Sequence, residues 1–147
     1  MDRPSDFAKK LAPWLWLLMG LFALRVVAQP LALVWDWLPA FEEWHSTTLP
    51  YFWLVFFQLL ILLVMIIISA RFSAGRVQPS PRLGLALLSF GAVYMGVMIV
   101  RLVLGMSVLR GDPWFDRPLP TIFHLVLASF VITVGWFHRR ASEISNS

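Results

Sequence analysis

The run Leu59-Leu60-Ile61-Leu62-Leu63-Val64-Met65-Ile66-Ile67-Ile68 is apolar on every face of any regular structure built from it. Such a segment has no side to turn toward water, so either a large protein core or lipid must surround it. A large core is not available to a chain of 147 residues, 59% of them hydrophobic and 14% charged. Soluble domains carry about 45–50% apolar and about 25% charged residues, and a domain this short leaves roughly a third of its unfolded surface exposed. The sequence therefore reads as an integral membrane protein.

Four apolar stretches recur along the chain, at residues 11–34, 51–70, 83–106 and 119–137, separated by short polar or Pro-containing segments. A hydrocarbon core of about 30 Å is crossed by about 20 helical residues, with every backbone group satisfied inside the helix. A β-barrel requires alternating segments of about ten residues, which the run from Leu59 to Ile68 is not. The expected fold class is an all-α, four-transmembrane-helix bundle forming one domain over residues 1–147, with no internal repeat.

Lys9-Lys10, an apolar run and Val26-Val27-Ala28 imitate a cleaved secretion signal. Arg25 directly before the small triplet argues against cleavage. A span that continues through Pro30 places Trp14 and Trp35, 21 residues apart, about 31 Å from one another, one at each interface. Pro30 is expected to kink that span.

Basic residues orient the bundle. Arg3, Lys9, Lys10, Arg71, Arg76, Arg82, Arg139 and Arg140 flank the spans on one side, against Arg110 and Arg117 on the other, where Asp112 and Asp116 balance them. By the positive-inside rule both termini are cytoplasmic, N-in and C-in, and the expected location is a bacterial inner membrane. With the positive charge so accounted for, nucleic acid is not an expected partner. Between helices 1 and 2, Trp37, Phe41 and Trp44 fall at spacings of four and three, which predicts a short interfacial helix beginning near Pro39, with Glu42, Glu43 and His45 on its other faces. Thr48-Leu49-Pro50 reads as the start of helix 2.

Polar groups inside spans are the informative ones, because each charged residue costs about 2.5–3.5 kcal/mol at a helix centre unless water or a partner meets it. Arg25, Gln29, Gln58, Tyr94, Arg101 and His124 are the candidates, and all but Tyr94 fall in the outer part of the membrane. Gln29 shares a helical face with Arg25, and Tyr94 and Met98 share one with Arg101. Together they predict an outward-facing, Arg-lined polar pocket. Guanidinium groups bind carboxylate and phosphate through a planar fork, so the pocket suits an anionic lipid, an isoprenoid or a quinone-type molecule, or a docking contact with a larger membrane complex. The competing structural explanation has Arg101 snorkelling to the interface and Arg25 tied to Asp36, Glu42 or Glu43.

A different chemistry is open to the histidines. His45 and His124 both lie near the outer surface and are possible ligands for haem b or a metal ion, with Glu42 completing Glu-x-x-His, so an electron-transfer subunit is the alternative. No Cys is present, the spans hold no paired carboxylates, and no spaced Ser-His-Asp set, His-Glu-x-x-His or Gly-rich phosphate loop occurs, so the reading leans away from an enzyme. A small transporter or membrane enzyme is the third possibility. His138, beside Arg139 and Arg140, is expected to be solvated. Helix 3 carries Gly84, Gly91, Ala92 and Gly96, with Ala92 and Gly96 at a small-xxx-small spacing, helix 4 offers Ala128, Ser129, Thr133 and Gly135, and helices 3 and 4 are expected to pack closely. Helix 2 has almost no small residue and is expected to face lipid or a larger partner protein, and a homo-oligomer is a further possible assembly of the chain.

Overall fold

Proline opens each helix. A ring with its φ already helical and no backbone N–H suits the first turn, whose donors have no partner within the helix. In the computed structural model, which describes residues 3–40, 50–108, 115 and 118–146, α1 runs Pro4–Leu31, α2 Tyr51–Ser73 directly after Pro50, α3 Pro81–Met106 and α4 Pro118–Asn146. Ser80 caps α3 by accepting a hydrogen bond from Leu83 N through its hydroxyl. All four helices are long and apolar enough to cross a membrane, and the described residues include no strand.

Several helix ends differ from the sequence expectation, most of all in α1 and α4. α1 starts seven residues before Leu11 and stops at Leu31, so the expected span to Val34 is three residues too long. Pro30 lies inside α1, one residue before its end. Beyond the ring the chain tightens, with Leu33 N donating to Pro30 O, and Trp35 sits in a turn, stacked on Trp37 at 5.8 Å. α4 likewise continues past Phe137 to Asn146, because the segment after the span keeps a helical face against the bundle: Ala141 and Ser142 are buried. Of the expected interfacial helix, Phe41, Glu42, Glu43, Trp44 and His45 lie outside the described residues.

The helices pack in the order α2, α1, α4, α3, through the pairs α1–α2, α1–α4 and α3–α4. Every pair is antiparallel. Near its start, α1 meets the end of α2, where Trp16 Nε1 donates to Ser73 Oγ, and also the end of α4, where Phe7 lies against Trp136 and Phe137. Arg139 near the end of α4 lies beside Gly84 near the start of α3. Both termini and the α2–α3 loop therefore share one end, called the basic end below for its arginines and lysines.

Small residues bring α3 and α4 together, as expected, through Gly84, Gly91 and Gly135 and not through the Ala92–Gly96 pair. A methyl group on Gly84 would stand 2.7 Å from Arg139 N, one on Gly91 2.7 Å from Ile132, and one on Gly135 2.8 Å from Leu88 N. Gly96 has nothing near it, and Ala92 and Gly96 are exposed. Five residues separate Gly91 from Gly96, which turns Gly96 about 140° away around the helix.

The basic half of the bundle is an apolar core. Leu15, Leu18, Met65, Phe72, Phe130, Val134 and Phe137 fill it, with the Phe72 and Phe137 rings edge to face at 4.7 Å. His138 belongs to this half and is buried, not solvated as expected. Ser80 N donates to its Nδ1 at 3.2 Å, so it anchors the start of α3 on α4. α2 buries only Gln58, Met65, Ser69 and Phe72, and turns the rest of its apolar surface outward, as expected of a helix without small residues.

Candidate functional site

Opposite the aromatic core, the far half of the bundle is polar inside. Arg25 is six residues from the far end of α1, Gln58 seven from that of α2, Arg101 five from that of α3 and His124 six from that of α4. At about 1.5 Å per residue all four helices place a polar side chain about 8–10 Å from their ends. These are not surface groups. Arg25 is 4% exposed, Gln58 4%, Arg101 6%, and Gln29 is fully enclosed.

Helical spacing explains which side chains meet. Tyr94 and Arg101 are seven residues apart on α3 and lie within about 20° of the same direction, facing α4 and α1. The Tyr94 hydroxyl and His124 Nδ1 share a hydrogen bond of 2.6 Å across the α3–α4 contact. Tyr94 lies within electrostatic reach of both Arg25 and Arg101, and so does His124. The Arg25 guanidinium sits 5.8 Å from the centre of the Phe123 ring, a cation–π distance that holds it against α4. On the other side, Gln58 Nε2 donates to Gln29 Oε1 at 3.5 Å and joins α2 to the layer.

All six sequence candidates thus occupy one region, as two linked groups. Arg25, Tyr94, Arg101 and His124 form the first, and Gln29 with Gln58 the second, joined through the shared face of α1. The amide nitrogen of Gln29 is buried with no hydrogen-bond partner among the described residues, a donor whose desolvation costs about 1–3 kcal/mol. Arg101 is buried. Asp36 is exposed and forms no ion pair among the described residues, so it does not tie Arg25, while Glu42 and Glu43 lie outside them.

Two contributors escape sequence reasoning. Thr121 is buried on α4, and Phe123 supplies the ring beneath Arg25. Thr121 carries a legible signal, standing three residues before His124 on the same helical face; Phe123 carries none, being one of twelve phenylalanines. Of the metal alternative, only His124 is described, with Nδ1 engaged by Tyr94. Among the described residues no three His, Cys, Asp or Glu side chains gather as a metal site requires.

The Tyr94–His124 bond supports a first prediction. Tyr94→Phe lowers the unfolding free energy in detergent micelles by about 1 kcal/mol, the net value of one buried hydrogen bond. In a double-mutant cycle with His124→Ala the two losses are not additive, and strictly additive losses would show that the pair contributes no coupling.

No family model matches the chain, and no curated protein or solved structure matches it.

Proposed function

We propose that this chain is a non-enzymatic, multi-pass membrane protein whose far-end polar layer binds the anionic or carbonyl head of a membrane-soluble molecule: an anionic lipid, an isoprenoid or a quinone-type compound. The observation that carries this reading is the convergence of Arg25 and Arg101 on the Tyr94–His124 pair from three helices. Two guanidinium groups within reach of one hydroxyl and one imidazole give the layer a basic lining, the side-chain chemistry that recognises anionic and carbonyl oxygens. Phosphate and carboxylate fit two planar donors, with the tyrosine, the imidazole and the enclosed Gln29 amide adding directional hydrogen bonds.

The positive-inside rule sets the direction. The basic end, with both termini, faces the cytoplasm of a bacterial inner membrane, and the polar layer opens toward the outer leaflet. A larger membrane complex that inserts an acidic group at the same place is a variant of the same chemistry. The experiment is native mass spectrometry and lipid extraction of protein purified gently from its own membrane. Arg25→Leu reduces the retained anionic molecule about tenfold, the factor for one hydrogen bond to a charged group. An unchanged spectrum from a folded Arg25→Leu protein overturns the reading.

A further inference from the structure

The α2–α3 loop and the helix ends beside it enclose a second feature, independent of the far-end layer. α2 and α3 do not pack on one another, and at the basic end they leave a groove of about 630 Å³ whose floor is α4. Ile68, Leu83, Leu87 and Val134 make its walls and floor, and Arg71 and Arg76 stand at its mouth. No carboxylate lines it among the described residues.

We propose that this groove seats one anionic phospholipid of the leaflet at the basic end, its phosphate at Arg71 and Arg76 and an acyl chain along Ile68, Leu83, Leu87 and Val134. Three observations converge on that occupant. First, the polarity gradient is that of an amphiphile in a bilayer: the arginines are at the end of α2 and in the loop after it, and the apolar lining runs from Leu83 and Ile68 near that end to Leu87 and Val134 farther along the bundle. Second, the separation of α2 from α3 opens the groove sideways, so a lipid enters from the bilayer without leaving it. Third, the charge is available. Arg139 and Arg140 lie beside Glu143 and Arg3 beside Asp6, whereas Arg71 and Arg76 form no ion pair among the described residues. The volume falls within the range of about 300–1,000 Å³ typical of ligand sites, enough for a phosphate and part of one chain.

The test uses the full-length protein in detergent micelles with dioleoyl phosphatidylglycerol or dioleoyl phosphatidylcholine added, read by native mass spectrometry. Phosphatidylglycerol is retained in preference to phosphatidylcholine. Arg71→Gln and Arg76→Gln each reduce its retention about fivefold, the factor for one arginine at a membrane surface. Leu83→Trp fills the groove and reduces retention with all arginines present, which separates the seat from simple charge attraction. Circular dichroism confirms that each variant is folded. Arg139→Gln with Arg140→Gln, outside the groove mouth, leaves retention unchanged. Equal loss in that control pair, equal retention of the two lipids, full retention in Leu83→Trp, or displacement by excess inorganic phosphate alone overturns the proposal.

Discussion

Phe137→Ala lowers the unfolding free energy in detergent micelles by about 3 kcal/mol, the low end of the usual range for a buried Phe→Ala change. The ring is fully buried, edge to face with Phe72 of α2 at 4.7 Å and stacked on Phe7 of α1 at 5.8 Å, so one α4 side chain ties three helices together. The low end applies because hydrocarbon tails are as apolar as the core, and the loss is chiefly of close packing and of the cavity left behind. Phe90→Ala, on an exposed ring of α3, changes stability by no more than about 0.5 kcal/mol. Equal losses from the two substitutions, measured by thermal unfolding under one detergent condition, would place the core elsewhere.

Gly135→Ala is the second large effect, a destabilisation of about 2 kcal/mol. The added methyl group meets Leu88 N at 2.8 Å and Leu87 Cβ at 3.0 Å. A backbone atom cannot rotate aside, so α3 and α4 must separate along their shared length, and overpacking of this kind costs about 1–3 kcal/mol. Alanine's better helix propensity returns at most about 1 kcal/mol of that. Gly96→Ala is the matched control: no atom lies within 4 Å of its added methyl group, so only the propensity gain remains and the protein is unchanged or slightly more stable. The opposite ranking of the two variants would falsify the α3–α4 register described above.

That pair of glycines also shows what a sequence reveals and where it stops. Close α3–α4 packing was legible in the supply of small residues, and so was the count of helices, because the free-energy cost of unpaired backbone in lipid leaves few alternatives. Which glycine touches the neighbour depends on how far α3 is rotated about its own axis, and composition does not encode rotation. The polar layer was more legible than the packing. Arg25, Gln58, Arg101 and His124 stand out because buried polarity is costly in a span, and their similar distance from the helix ends follows by counting. Their partners were less visible: the Tyr94–His124 bond joins residues 30 apart, and His138 looked solvated beside two arginines until the contact with Ser80 placed it inside.

The packing order α2, α1, α4, α3 bears on how the chain is made. Synthesis delivers α1 and α2 first, and these two are neighbours, so a helical hairpin can close while the remainder is still being translated. α3 arrives next and finds no seat on either. Its packing partner is α4, the last helix to be made, and α4 is also the helix that joins this second hairpin to α1. Tyr94 and His124, which meet across that late hairpin, come together in the same event, so the half of the polar layer that depends on α3 is completed only as the last helix enters the membrane.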